Sequence, residues 1–270
     1  MNNKIELYYM IKKMRNLLIA PVDIMGCYSI PSIVKDEEKK LYVLISLLLS
    51  SQTKDEINFQ SMLNLITSKH KNVNNNNVIR YKNLFTDTKN YLEVEFNGNK
   101  LKVEKLEDWI SIIEKHIKNY TFNLKILSEM TLDEINKCIS KVGFHNKKSE
   151  LIKNLCEHLS KEGFPTTLGE CKKIKGFGLK MGLLYLNKFQ KVTGISVDTH
   201  VHRISNRIGL VKTKNPEQTN SELEKLFDIT EFGDVNSVFV GFGQIICTAV
   251  KPKCERCLIK KECEFGKESW

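Results

Sequence analysis

Residues 174–200 decide the fold of this chain, and they read IKGFGLKMGLLYLNKFQKVTGISVDTH. Gly176 and Gly178 flank a single Phe177 within this stretch. Two glycines at that spacing let the backbone take positive φ, turn tightly and approach another molecule closely. The sequence therefore predicts a tight turn at this point.

Helices are predicted on both sides of the turn. Before it, Thr167 and Glu170 stand at the spacing of a capping box, which indicates a short helix running to about residue 173. After it, a helix is expected from Leu179, because apolar residues recur at helical spacing: Met181, Leu184, Tyr185 and Phe189. Together these elements make a helix-hairpin-helix.

The turn and the helix after it contain groups that could bind a phosphate and act as a nucleophile. Backbone N–H groups from Gly176 to Leu179 would point outwards at the positive end of a helix dipole, which suits a phosphate. Lys180 lies in the first turn of the second helix, a position that suits a lysine nucleophile. For any single lysine taken alone, a solvated surface side chain is the simpler interpretation.

Asp198, in the sequence SVDTH, strengthens the functional interpretation of this lysine. It precedes a helix whose apolar face contains Val201, Ile204 and Ile208 and which ends at Gly209. Asp198 could be only the N-cap of that helix. An N-cap carboxylate that faces a lysine across a cleft could also carry charge chemistry, so both roles can belong to one residue.

Half of the eight cysteines lie near the C-terminus with the spacing C-x6-C-x2-C-x5-C: Cys247, Cys254, Cys257 and Cys263. Four thiolates in one segment can hold Zn²⁺ or a [4Fe–4S] cluster, because both accept four cysteine ligands. Zinc sites more often pair two short knuckles, and disulfides are the less favoured alternative. The remaining four lack ligand spacing and are interpreted as ordinary thiols: Cys27, Cys138, Cys156 and Cys171.

These motifs resemble, in order and spacing, those of the endonuclease III family of DNA glycosylases, the iron–sulfur branch of the helix-hairpin-helix superfamily. MRNLLIAPVDIMG at 14–26 and LLLSSQTKD at 47–55 resemble its eukaryotic members. The resemblance covers nearly the whole chain, apart from an insert at about residues 70–122. In the hairpin, the sequence IKGFG at 174–178 replaces the family's Leu-Pro-Gly-Val-Gly and loses the stiffness of the proline.

The resemblance implies an all-α fold with two helical domains, a cleft between them, a C-terminal [4Fe–4S] loop and a small inserted β-hairpin. The central domain would comprise 37–192, and the terminal domain 1–36 together with 193–270. Lys180 falls on the family's Schiff-base lysine, and Asp198 falls on its catalytic aspartate. The four C-terminal cysteines match the family's iron–sulfur motif.

Several further side chains are implied to contact DNA. Gln52 would fill the gap left when a base is turned out of the duplex, and Phe144 would wedge into the stack. The simpler alternatives are a surface-loop glutamine and a core phenylalanine. Thr53 and Glu56 have capping-box spacing, so Thr53 is expected to be structural. The hairpin and the basic cysteine loop would contact phosphates through Gly176, Phe177, Gly178, Lys251, Lys253 and Arg256.

The implied activity is that of a DNA N-glycosylase and apurinic or apyrimidinic (AP) site lyase acting on oxidised pyrimidines such as thymine glycol. Lys180 would attack the anomeric carbon, while Asp198 would stabilise positive charge on the sugar. Three alternatives stay open. An adenine-mismatch glycosylase would need a carboxylate before Gln52, and residues 41–54 contain none. A non-catalytic DNA-binding protein leaves the Lys–Asp pair unexplained, and an electron carrier would need a redox-active cluster.

Composition agrees with a nucleic-acid partner. The chain has 270 residues, and 42 basic residues against 32 acidic ones give a net charge of +10, which favours polyanions such as nucleic acid or an anionic membrane surface. No apolar run reaches the length of a membrane span, so no membrane association is expected. We expect a monomer that binds double-stranded DNA carrying damaged pyrimidines or AP sites, resident in the nucleus, the mitochondrion or both.

The remaining segments give coarse predictions. Helices are expected at 4–18, from Asp36 to about Ser50, and within 124–160, while Pro21–Pro31 should be a connecting loop. The Asn-rich run at 72–77 is low in complexity and is predicted to be disordered.

An ordered element is predicted after the Asn-rich run. Alternating apolar residues surround Asn97-Gly98, a strong turn signal, and predict a small β-hairpin over about 92–103. Its position between two core helices suggests a surface decoration.

Overall fold

The computed structural model describes residues 3–29, 34–68, 79–85 and 90–268, which are mostly helical with one small sheet. The predicted all-α fold with a β insert is confirmed. The helices are α1 (Asn3–Arg15), α2 (Pro21–Met25), α3 (Asp36–Ser50), α4 (Asp55–Thr67), α5 (Leu106–Ile117), α6 (Leu124–Glu129), α7 (Leu132–Cys138), α8 (His145–Glu162), α9 (Leu168–Lys173), α10 (Leu179–Phe189), α11 (Thr199–Arg207), α12 (Pro216–Leu226), α13 (Phe232–Ile245) and α14 (Glu264–Glu268). The strands are β1 (Arg80–Phe85), β2 (Asn90–Phe96) and β3 (Asn99–Val103).

The chain divides into two compact units, each built from separate segments. The first unit comprises Met1–Ala20, Phe85–Asn90 and Leu186–Trp270, and the second comprises Pro21–Leu84 and Tyr91–Tyr185. Lys180 therefore belongs to the second unit and Asp198 to the first. The predicted division into a central domain and a terminal domain stays a prediction.

Helix α3 forms the core of the second unit. Its residues from Leu41 to Leu49 are all buried, as expected for a helix that is apolar all round. Three acidic residues occupy its first turn, where the helix dipole favours negative charge: Asp36, Glu37 and Glu38. The predicted bounds of this helix are confirmed.

The inserted sheet contains the predicted hairpin and one additional strand. Strands β2 and β3 pair antiparallel, with Leu92 opposite Val103 and Val94 opposite Leu101. The Asn97-Gly98 turn has positive φ at both residues, +50° and +79°, as its sequence predicts. Strand β1 adds to β2 and was not predicted. The Asn-rich run predicted to be disordered lies outside the described residues.

The segment after the sheet corrects the view of the insert as a surface decoration. Helix α5, which was not predicted, buries Trp109, and its indole Nε1–H donates to the carbonyl of Ile24 at 2.8 Å. The rings of Phe59 and Phe96 lie within 5.9 Å and 5.7 Å of that indole. This part of the chain therefore supplies core to the second unit.

Two local predictions near the second unit's first helices were wrong. Pro21–Met25 is a short helix within the predicted loop, because proline presets the first helical φ and the buried Ile24 anchors the turn. The capping box expected at Thr53 does not form. Helix α4 begins at Asp55, and the Thr53 hydroxyl instead donates to the carbonyl of Ser51 at 3.2 Å.

The first unit is built around the pairing of α1 with α13. Tyr8 is fully buried, and its ring lies 4.6 Å from that of Phe227 in an edge-on arrangement. Lys12 joins the same elements through ion pairs with Glu231 at 2.7 Å and Asp234 at 2.8 Å. Among the described helices, none combines the length and apolar character that crossing a membrane requires.

Candidate active site and nucleic-acid interface

The hairpin forms at the predicted place, between α9 and α10. Thr167 caps α9 by accepting a hydrogen bond from the N–H of Glu170 at 3.2 Å. Gly176 takes a φ of +89°, and a Cβ there would lie 2.9 Å from a methyl carbon of Leu151. The backbone conformation thus requires glycine at this residue, and a Cβ would in addition push against leucine methyl groups.

The turn leaves fewer backbone N–H groups available for a phosphate than the sequence predicts. The N–H of Phe177 is used inside the turn, donating to Ile174 O at 3.0 Å, and the Phe177 ring is only 7% exposed. Gly178 does not have positive φ, and a Cβ there would meet nothing within 4 Å. Open space thus faces Gly178, and the candidate phosphate donors narrow to the N–H groups of Gly176, Gly178 and Leu179.

Lys180 is half-buried in the first turn of α10, and Cys27 is its neighbour within the second unit. Burial raises the pKa of the Cys27 thiol to about 11, while a hydrogen bond to Ser46 and the positive charge of Lys180 oppose the rise. The sequence interpretation of Cys27 as an ordinary thiol missed this neighbour. No spacing signal in the sequence connects the two residues.

Asp198 is the N-cap of α11. Its Oδ1 accepts hydrogen bonds from the N–H groups of His200 at 2.8 Å and Val201 at 2.9 Å. The predicted apolar face of α11 is buried, and the helix is followed by Gly209 with a φ of +80°. The N-cap role is therefore confirmed, whereas the role of Asp198 in charge chemistry stays a prediction.

The two side chains predicted to enter the duplex are both at the surface of the second unit. Phe144 is 66% exposed, so the alternative of plain core packing is wrong, and Gln52 is also exposed. Both residues have left-handed backbone, with φ of +59° and +50°. A Cβ at Gly143 would lie 2.8 Å from the carbonyl oxygen of Gln52, so the two loops adjoin.

The four C-terminal cysteines line one cavity of the first unit, together with apolar side chains such as Ile208 and Phe242. All eight cysteines of the chain are free thiols, which excludes the disulfide alternative for this structure. Within the described ranges, no three His, Cys, Asp or Glu side chains are grouped closely enough to hold a metal ion. The four thiols thus share a cavity without converging on one point.

The donor set around this cavity fits a group ligated by four cysteines. Burial alone opposes the thiolate form, because it raises the pKa of Cys257 to about 12 and also raises that of Cys263. Two donors already point at sulfur: the Arg207 guanidinium lies 3.5 Å from Cys247 Sγ, and the Gly266 N–H lies 3.4 Å from Cys263 Sγ. Such donors stabilise thiolates, the form in which cysteine binds metals.

The basic residues of the cysteine loop differ in exposure. Lys251 and Arg256 are exposed, and Lys251 has a φ of +53°. Lys253 is half-buried, and burial followed by the nearby charge of Arg256 lowers its pKa. The apolar side chains of Val250 and Leu258 are 78% and 56% exposed beside them. The loop thus presents mixed basic and apolar surface.

The helix-hairpin-helix followed by an acidic N-cap defines the class of this protein: the HhH-GPD superfamily of base excision DNA repair proteins, whose family model matches residues 104–228. The chain is 38% identical over 258 residues to an endonuclease III homolog of Encephalitozoon cuniculi, covering 95% of this chain and 92% of that protein. It therefore belongs to the endonuclease III family and is a base-excision-repair DNA glycosylase.

Other comparisons agree on the family and the fold. The chain is 32% identical to the chloroplastic endonuclease III homolog 1 of Arabidopsis thaliana over 97% of its own length, but it spans only 58% of that longer protein. A solved structure of a trapped covalent intermediate of endonuclease III with DNA matches with a TM-score of 0.66 at 19% identity, covering 99% of both chains. This structural likeness shows the fold.

Proposed function

We propose that this glycosylase is bifunctional: it removes oxidised pyrimidines, such as thymine glycol, from duplex DNA and nicks the resulting AP site by β-elimination. The observation that carries the proposal is Lys180, half-buried in the first turn of α10 beside a turn that faces open space. A lysine so placed is within reach of a sugar whose phosphate is bound by the turn. Family membership supplies the DNA substrate.

Lys180 acts as the nucleophile. Its neutral amine forms a bond to C1′ of the damaged nucleotide as the C1′–N bond breaks, and the base leaves with the bonding electrons and takes up a proton. The C1′–O4′ bond then breaks, O4′ takes up a proton, and C1′ is left bound to Lys180 as a Schiff base, which acidifies the C2′ proton. Loss of that proton expels the 3′ phosphate oxygen, so the strand is cut by β-elimination, and water then hydrolyses the imine and frees Lys180.

Asp198 supports this chemistry from the N-terminus of α11. Its carboxylate stabilises the positive charge that develops on the sugar, and it accepts a proton from the attacking lysine. Two backbone N–H groups hold the carboxylate in place at the start of α11.

The DNA-opening side chains are Gln52, opposite the extruded base, and Phe144, wedged into the stack. Their exposure and adjoining loops support this assignment. The turn at Gly176 and Gly178 takes one phosphate through its N–H groups. Further phosphates contact the basic residues of the cysteine loop: Lys251, Lys253 and Arg256.

The C-terminal cysteines are the proposed ligands of a [4Fe–4S] cluster. The residues that would hold it are Cys247, Cys254, Cys257 and Cys263, which already share one cavity. When bound, the cluster fixes the loop that carries the basic residues, a structural contribution rather than a redox one. We further propose that the protein acts as a monomer on damaged or abasic duplex DNA in the nucleus or the mitochondrion.

Borohydride trapping on a duplex that carries one thymine glycol tests the proposal. The parent protein should form a covalent protein–DNA band, and Lys180→Gln should form none. Lys188→Gln, on the same helix, is the matched control and should trap like the parent. Nicking by Lys180→Gln would contradict the assignment of the nucleophile. Duplex binding by the parent without any band would favour a glycosylase without lyase activity or a non-catalytic DNA-binding protein.

A further inference from the structure

We propose that Lys148 is a positioning residue that joins the loop carrying Gln52 to the loop carrying Phe144, so that the two side chains enter the duplex together. The inference rests on the proposed roles of these two residues in DNA opening. Lys148 itself lies beneath both loops and is only 3% exposed. It therefore acts through its neighbours rather than by contact with DNA.

The Lys148 ammonium group is bonded to the loop before and after Gln52. Its Nζ donates to the carbonyl of Leu49 at 2.8 Å, to the carbonyl of Ser51 at 2.6 Å and to the hydroxyl of Thr53 at 3.2 Å. An ammonium group has three hydrogens, and three oxygens receive them here. One buried side chain thus fixes the backbone on both sides of Gln52.

The backbone of the same residue is bonded to the other loop. Lys148 lies in the first turn of α8, and its N–H donates to the carbonyl of Phe144 at 3.0 Å. Phe144 is the N-cap of this helix. A displacement of one loop is therefore transmitted to the other through a single residue. The close approach of Gly143 to the Gln52 carbonyl makes the two loops adjoin directly as well.

Both loops need such support because each holds its functional residue in left-handed backbone. Gln52 has a φ of +50° and Phe144 has a φ of +59°. Residues other than glycine adopt this conformation at an energetic cost, and they retain it only where the surroundings impose it. The bonds of Lys148 lie directly beside both residues, where they oppose relaxation.

The chemistry of the contact also favours positioning over stability. The carbonyls of Leu49 and Ser51 lie at the C-terminus of α3, where the helix dipole favours a positive charge. The acceptors are nevertheless uncharged, and burial lowers the pKa of Lys148 to about 8. A buried ammonium is costly, and an apolar side chain of similar length would avoid that cost while losing the directed bonds.

The test uses Lys148→Met with a matched control on the same helix. Lys153 makes similar bonds to a different loop, with Nζ donating to the carbonyls of Ser128 at 2.7 Å and Met130 at 2.9 Å. Lys153→Met therefore removes a lysine–carbonyl contact away from Gln52 and Phe144, at a site that is less buried than that of Lys148. Each protein is assayed in single turnover on an AP site placed in a fully paired duplex and on the same site inside a mismatched bubble.

A positioning role predicts a defect that depends on duplex opening. Lys148→Met should lower the rate on the paired duplex by about 10-fold or more, since misplacement of a group costs rate steeply. On the bubble, where the bases are already unstacked, its rate should stay within about 2-fold of the parent. Lys153→Met should match the parent on both substrates. Equal losses by Lys148→Met on both substrates would overturn the proposal.

A second measurement needs no DNA and separates this inference from the proposed activity. In Lys148→Met, amide hydrogen exchange should accelerate at residues 50–53 and 142–145 together, and in Lys153→Met at neither. Acceleration in only one loop, or in neither, would contradict the coupling even in an active enzyme. A parent protein without trapping would refute the proposed function, while the exchange result would still decide the role of Lys148. If Lys148→Met fails to fold, Lys148→Gln takes its place in both measurements.

Discussion

The hairpin at residues 174–180 and the paired loops at Gln52 and Phe144 are both candidate DNA contacts, but they are held in place differently. The hairpin is stabilised by residues near it in the sequence: a Thr167 cap and a glycine with a φ of +89°. The paired loops depend on Lys148, whose bonds to the Gln52 loop span up to 99 residues. Local sequence therefore encodes one contact, and tertiary structure completes the other.

The largest expected effect concerns the hairpin, where chemistry depends on one residue. Lys180→Gln should lower the rate of strand cleavage by roughly 10³-fold or more, because removal of a nucleophile eliminates the covalent route. Duplex binding should change far less, since the turn at Gly176 and Gly178 is retained. Rates from single-turnover gels and affinities from anisotropy check this. Equal losses of rate and affinity would place Lys180 among binding residues instead.

The two glycines of the hairpin should then separate stability from binding. Gly176→Ala should lower the free energy of unfolding by about 1–3 kcal/mol, because it combines positive φ with a crowded site. Gly178→Ala should leave the free energy of unfolding within about 0.5 kcal/mol of the parent value, since open space faces this residue. The same substitution should weaken duplex binding. Urea unfolding and binding isotherms measure both. Equal destabilisation by the two substitutions would show that the turn differs from the one described.

The contribution of the paired loops to stability should depend on pH through Lys148. Burial lowers the pKa of Lys148 from its ordinary 10.5 to about 8. Between these values the unfolded chain binds more protons than the folded one, so the contribution of Lys148 to the free energy of unfolding rises with pH. The difference between the parent and Lys148→Met should therefore shift in favour of the parent by roughly 1–3 kcal/mol between pH 7 and pH 10. A constant difference in urea unfolding would contradict the buried ammonium.

The smallest expected effect is that of the Lys180 charge on the reactivity of the Cys27 thiol. Because burial raises the pKa of Cys27 to about 11, its alkylation at pH 7 should be about 100-fold slower than in the urea-unfolded chain. Lys180→Met should slow it further, by less than about 10-fold, since the lysine charge favours the thiolate. Mass spectrometry of the Cys27 peptide measures both rates. Faster alkylation in Lys180→Met would show that the two groups are not neighbours.

The same division explains what the sequence could predict. Three features were predicted correctly because each depends on residues only a few positions apart: the turn at Gly176, the N-cap at Asp198 and the Asn97-Gly98 hairpin. Helix α5 was missed, although its first turn carries the acids typical of helix starts. This helix is held by a nonlocal contact, because Trp109 is buried against α2.

Other features could not be predicted from local sequence pattern, for the same reason. Phe144 follows a glycine in an apolar context, and only the structure shows that its ring is exposed. Lys148 stands in a basic run that resembles a solvated surface, and the carbonyls that hold it come from another helix. Cys27 has no spacing relation to Lys180. Side chains whose partners lie far along the chain give no periodic signal.

The pairing of α1 with α13 has a consequence for biosynthesis. Lys12 and its partner Glu231 are separated by 219 positions in the chain. At ordinary rates of translation, α1 leaves the ribosome on the order of ten seconds or more before its partner helix exists. During that interval the apolar side chains of Leu7, Tyr8 and Ile11 lack their native cover, so nascent α1 exposes apolar surface to which a chaperone can bind.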